Sequence, residues 1–177
     1  MVIAYGDTQL FNLGLLLIRL VFGLMMVAHG SQKLFGWFGG YGLAGTGGFF
    51  ESLGFRPGKT FAAAAALSEF VGGWLFTLGL FGPVGSALIL AVVLVASISV
   101  HWRNGLFATT NGVEVPLLYA TAVVGVALIG FGTYSLDAAL GLATFWSPAL
   151  IGLVLAVGVI GGLTNLLLRK KPTTPTV

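Results

Sequence analysis

Residues 10–29 read LFNLGLLLIRLVFGLMMVAH. A bilayer core about 30 Å thick calls for roughly 20 apolar residues in one helix, and this run has that length with a single charge, Arg19, near its middle. Working outward, similar runs recur along the chain and predict further spans at about 60–81, 84–102, 116–132 and 147–168. Ser147-Pro148 and Pro116 suit helix starts, and Gly82-Pro83 suits a stop. With 57% hydrophobic and 7% charged residues, the chain has too few polar side chains to cover a water-soluble globule. The expected fold class is an all-α membrane protein, and residues 1–177 are expected to form a single transmembrane domain in the lipid bilayer.

The absence of cysteine excludes disulfides, thiol redox chemistry and cysteine-ligated clusters. Any redox role must therefore borrow its electron carrier. A net charge of +3 suggests no nucleic-acid partner, because the basic residues flank the apolar runs and do not form a patch. Their placement speaks to topology. Lys33, Arg56, Lys59, Arg103, Arg169, Lys170 and Lys171 all fall in alternate connections, while Asp7 and Asp137 occupy the others. Cytoplasmic loops are enriched in Lys and Arg. The expectation is a multi-pass protein of a bacterial inner membrane, N-terminus outside and C-terminus cytoplasmic. The N-terminal segment lacks the basic n-region of a signal peptide, so the first run is expected to stay as a helix.

The long connection between the first two spans carries GWFGGYGLAGTGGFF, residues 36–50. Two readings stand: an interfacial loop with aromatic anchors, or a re-entrant segment closing over a pocket. Residues 134–145 are expected to form a short amphipathic helix, and 172–177 a disordered tail. Small residues at close-packing spacing (Ala62/Ala66, Gly72/Gly73, Ala87/Ala91, Gly158/Gly162) predict tight helix contacts. Gly158/Gly162 leaves open a contact with a second copy of the chain or a partner subunit.

Burying Arg19 or Glu69 alone in hydrocarbon would cost several kcal/mol. Counted from the predicted inner helix ends, at about 1.5 Å per residue, their depths differ by only a few ångströms. They are therefore expected to pair, either as a structural link or as part of a ligand pocket. A second polar group, His29, His101, Glu114, Lys33, Arg103 and Asn104, is expected at the cytoplasmic ends. Imidazoles beside a carboxylate can transfer protons, hydrogen-bond a quinone carbonyl or bind a metal, and histidines at helix ends can also be merely interfacial. No metal site is expected. The chain has no dinucleotide fingerprint, Walker A sequence, nucleophile elbow or HExxH.

From about Leu17 to Asp137 the motifs IRLVFGLMMVAHGSQKLFGWFGG, LSEFVGGWLFTLGL, HWRNGLF, NGVEVPLLY and GTYSLD, in that order, resemble the DoxX family of small bacterial membrane proteins. The resemblance implies a four-helix bundle, to which residues 147–168 add a fifth, C-terminal transmembrane helix. Relatives include a membrane subunit of a thiosulfate:quinone oxidoreductase and proteins linked to quinone detoxification and oxidative-stress defence. The resemblance points to Arg19, Lys33, Glu69, His101, Asn104 and Glu114 as site candidates.

The leading expectation is a membrane subunit or enzyme of quinone-linked redox chemistry, with a quinone as ligand and electrons from a membrane or peripheral redox partner. Arg19 or Lys33 would stabilise a quinol oxyanion, His101 and Glu114 would relay protons, and Trp37, Phe38 and Trp102 would wall the ring, with Glu69, His29 and Asn104 completing the pocket. The competing expectations are a non-catalytic scaffold subunit of a larger complex and a carrier of small solutes or lipids.

Overall fold

The computed structural model describes residues 8–170. Asp7, Lys171 and the expected disordered tail 172–177 lie outside the described residues. Among the described residues seven α-helices run in chain order: α1 Thr8–Phe35, α2 Gly42–Ser52, α3 Gly58–Leu78, α4 Val84–Ala96, α5 Glu114–Ile129, α6 Leu136–Ala139 and α7 Pro148–Leu167. A π-helical turn, Ser97–His101, and a 3₁₀ turn, Trp102–Asn104, extend α4. Four helices among the described residues are long and apolar enough to cross a membrane: Thr8–Phe35, Gly58–Leu78, Val84–Asn104 and Pro148–Leu167. The apolar helix α5 is shorter, at 16 residues.

Helices α1, α3, α4 and α5 pack in a closed ring, each against the next, and α7 lies outside the ring against α4. Leu15, Met26, Phe76, Ile89, Val93, Tyr119 and Val123 fill the centre. The outward faces remain apolar, with Leu17, Val21, Trp74, Leu117, Leu128, Val157 and Ile160 exposed. That much exposed apolar surface calls for lipid rather than water as solvent.

Small residues set the helix distances. A methyl group on Gly30 would meet the backbone nitrogen of Phe70 at 2.6 Å, and one on Gly73 would meet that of Val27 at 2.7 Å. α1 and α3 are thus in backbone contact, as small-residue spacings allow where apolarity alone brings no helices together. Gly158 and Gly162 sit on the backbone of Ala87 and Ala91, so the small-residue face of α7 is used within the molecule.

Helix ends differ from the sequence expectation, and the reasons are local. α1 continues past His29 to Phe35, because Gly30 serves helix packing and not termination. α3 starts at Gly58 instead of Thr60 and ends at Leu78, where Gly79 at φ 61° closes it well before Pro83. α5 stops at Ile129 because Gly130, at φ 95°, turns the chain. The expected amphipathic helix over 134–145 is broken: α6 has four residues, and Gly141 at φ 72° separates it from a 3₁₀ turn at Ala143–Phe145.

The ends of α1, α4 and α7 and the starts of α3 and α5 gather at one end of the bundle. Arg169 Nε donates to Leu53 O there, and Lys170 N donates to Gly54 O. Lys33, Lys59, Arg103 and Arg169 make this the basic end.

Candidate functional site

Arg19 and Glu69, the expected pair, are not partners. Both are buried, at 1% and 5% exposure. Arg19 stands sixteen residues from Phe35 and Glu69 eleven from Gly58. Those two ends are not level: Gly30 packs against Ala66 and Phe70, the turn that holds Glu69, and Arg19 stands eleven residues from Gly30, about 16 Å along the bundle at about 1.5 Å per residue and far more than helix ends at His29 and Thr60 imply.

Arg19 instead binds backbone carbonyls. Its guanidinium donates to Phe76 O at 3.3 Å, Thr77 O at 2.9 Å, Phe131 O at 2.6 Å and Tyr134 O at 3.1 Å. These carbonyls come from the end of α3 and from the segment after α5, where both helices have stopped and left acceptors free. A planar fork of five N–H donors suits that arrangement. Arg19 is a bolt at the end opposite the basic one, away from the cavity described next.

Glu69 pairs with Lys33 across the α1–α3 contact, and the ammonium reaches both carboxylate oxygens. The pair lies on the wall of a cavity of about 390 Å³ between α2, α3, α4 and α7. Phe50, Phe55 and Phe61 form a continuous aromatic side, with ring centroids 5.7 Å and 5.4 Å apart. Ala65, Val92 and Gly161 supply an apolar body. Ser68, Ser99, His101 and Asn165 add polar groups, and the buried Ser99 Oγ has no hydrogen-bond partner among the described residues. Ser99 and His101 belong to the π turn, a helix irregularity common at functional sites.

His101 is oriented from the loop after α4. Its Nδ1 lies 2.8 Å from Asn111 O, and since a carbonyl only accepts, Nδ1 carries the hydrogen and Nε2 keeps its lone pair in the neutral ring. Asn104 Nδ2 donates to the same carbonyl at 3.2 Å. Asn111 adopts φ 60°, which Asn tolerates and which turns its carbonyl toward both.

The remaining expected residues stand elsewhere. Glu114 accepts from Ala108 N at 2.7 Å, closing the loop that starts α5, and does not line the cavity. His29 lies edge-on to Tyr119 of α5, ring centroids 6.2 Å apart. Trp37, Phe38 and Trp102 are exposed, and the phenylalanines of α2, α3 and the turn between them take the place expected of them. Asn104 supports the His101 loop and is not among the cavity residues. Lys33, Glu69 and His101 are the expected residues that the fold brings to one cavity. Sequence reasoning missed Ser99, Asn111 and Asn165. The Asn111-Gly112 dipeptide, a strong turn signal, was the available clue to one of them.

The fold and these buried polar groups define an all-α protein with helices built to span a membrane. The DoxX family model matches residues 14–102, from α1 to the turn after α4, and the chain belongs to that family. Neither a curated protein nor a solved structure matches it. Lys33, Glu69 and His101 fall inside the matched segment, while Glu114 and Asn165 fall beyond it.

Proposed function

We propose that the cavity binds the head group of a quinone and that the protein is a membrane subunit or enzyme of quinone-linked redox chemistry. One observation carries the reading: a paired ammonium and carboxylate, a histidine with a free ring nitrogen and a partnerless serine hydroxyl all line an otherwise apolar, aromatic-sided cavity. Ligand pockets of this kind are mostly apolar, with a few polar groups that orient the ligand. Lys33 would donate to one quinone oxygen and stabilise it as it gains negative charge. His101 Nε2 would accept the proton of a quinol hydroxyl, and Glu69 would hold Lys33 in place.

The chain itself has no cysteine to carry electrons, so they would come from a redox partner protein. In this reading the basic end faces the cytoplasm of a bacterial inner membrane. A scaffold role gains no support from α7, whose Gly158/Gly162 face is occupied by α4.

Calorimetric titration of the purified protein in lipid nanodiscs with short-chain benzoquinone and naphthoquinone analogues tests the reading. We expect saturable binding that Lys33→Gln weakens by about tenfold or more, as loss of a charge-assisted hydrogen bond implies. Failure of both analogues to saturate the wild-type protein overturns it.

A further inference from the structure

Rows of exposed side chains mark the lipid-facing sides of α3 and α7. On α3, Leu67, Val71, Trp74 and Leu78 recur at spacings of three and four residues, the period of one helical face. Ala64, also exposed, continues that row toward the basic end. On α7, Leu153, Val157 and Leu168 form a matching row, and the exposed Gly161 falls within it. Each row thus loses its bulk at one position, and both positions line the cavity that holds Lys33, Glu69 and His101.

The two positions stand level. Ala64 is six residues from Gly58 at the start of α3 and Gly161 six from Leu167 at the end of α7, which sets each about 9 Å inside the basic end at about 1.5 Å per residue. In helices of spanning length that depth lies among hydrocarbon. The gap between the two positions opens sideways: α3 and α7 each pack on α4, which floors the gap with Ala91, Val92 and Val95. Its basic end is shut. Arg169 Nε and Lys170 N, at the end of α7, donate to Leu53 O and Gly54 O of the turn between α2 and α3. The strap is so close that a methyl group on Gly54 would collide with Lys170 O. Phe55 is buried beneath it, with the Arg169 guanidinium 5.8 Å from its ring centre.

We propose that the cavity is loaded sideways from the bilayer through the gap between α3 and α7, and that its ligand is an amphiphile whose long hydrocarbon tail lies in that gap, against Ala64 and Gly161. That the polar head is a quinone ring rests on the reading above, whereas the route rests on the two rows and the strap. A cavity of about 390 Å³ stands near the lower end of the roughly 300–1,000 Å³ of small-molecule pockets, so it takes a ring but not a long chain as well. The chain stays in the gap, where lipid and two small residues leave room for it. Lys33, Ser99 and His101 meet the ring at the inner end.

The absence of cysteine makes a direct test available, because each introduced thiol is the only one. Nitroxide spin labels are placed on Ala64→Cys, on lipid-facing Val71→Cys and on Ala108→Cys in the exposed loop after α4, each in lipid nanodiscs. Collisions with oxygen, which concentrates in lipid, and with a water-soluble nickel chelate are then compared. The oxygen-to-nickel ratio at Ala64 is expected to match that at Val71 and to exceed that at Ala108 by about tenfold or more, since the bilayer core holds no water. A benzoquinone with a decyl chain should lower the oxygen collision rate at Ala64 by about twofold or more, as a seated chain shields the label, while the same ring without the chain should leave it unchanged. Gly161→Cys serves as the second gap position should Ala64→Cys not fold. A gap label as open to nickel as Ala108 overturns the sideways route. A decyl quinone that calorimetry shows bound without altering the gap label, or a chainless ring that alters it as much, overturns the path of the tail. The ratio without ligand needs no quinone, so a protein that binds neither compound but shows it loses the quinone reading and keeps the lipid-facing mouth.

Discussion

The guanidinium of Arg19 and the backbone of Asp137 meet at Gly79. Asp137 N donates to Gly79 O at 3.0 Å, and a methyl group on Gly79 would stand 2.8 Å from Arg19 Nη2. The Asp137 carboxylate, 1% exposed, accepts from Phe81 N at 2.8 Å, Gly82 N at 2.6 Å and Trp146 Nε1 at 2.8 Å. Together the two side chains tie the α3–α4 turn to the segments after α5 and before α7.

Arg19 is accordingly a stability residue. Arg19→Leu takes the side-chain donor from all four carbonyls, of which Phe76 O keeps Gly79 N, and Arg19→Lys cannot reach segments on both sides with one ammonium. Each is expected to destabilise the protein by about 3 kcal/mol or more. Thermal unfolding in detergent checks this. The folded fraction of Arg19→Lys should bind quinone like wild type, and weakened binding there would return Arg19 to the site.

Lys33 and Glu69 should couple strongly. Lys33→Met leaves the buried Glu69 carboxylate uncompensated, at a cost of about 3–5 kcal/mol, and Glu69→Met leaves the partly exposed Lys33 ammonium unpaired at a smaller cost, whereas the double substitution should recover most of both. A double-mutant cycle on unfolding measures the coupling, and simple additivity would contradict the pairing.

Glycine-to-alanine substitutions should divide by contact. Gly73→Ala places its methyl 2.8 Å from Gly23 O and is expected to loosen α1 from α3. Gly125→Ala meets no atom within 4 Å and is expected to be neutral or to stabilise by up to about 1 kcal/mol. Melting temperatures of the two variants distinguish them.

His101 depends on the main chain of Asn111 rather than on its side chain. Asn111→Gly keeps φ 60° accessible and should leave quinone binding unchanged, while Asn111→Val strains that conformation by about 1–2 kcal/mol and should weaken it. Paired titrations of the two variants give the comparison.

α7 completes the cavity, although it lies outside the family segment. A side chain at Gly161 meets nothing at its Cβ, so Gly161→Leu can project into the cavity without disturbing the helices. Quinone affinity should fall about tenfold or more with an unchanged melting temperature. Undiminished affinity would place the ligand elsewhere.

The membrane character, the helical class and the family were legible in the sequence, because they follow from run length, apolar content and ordered motifs, all one-dimensional properties. So were Lys33, Glu69 and His101 as candidates, since a polar group in an apolar run stands out wherever the chain folds. Their partners were not legible. Pairing depends on depth, and depth on helix register: the expected span ends at His29, whereas α1 runs on through Gly30, whose contact with Ala66 and Phe70 sets the register that moves Arg19 away from Glu69 and gives that carboxylate to Lys33. The phenylalanine walls, the partnerless Ser99 and the hold of Asn111 on His101 likewise arise from contacts between residues far apart in the chain. Only tertiary packing, which turns small residues into helix register, decided them.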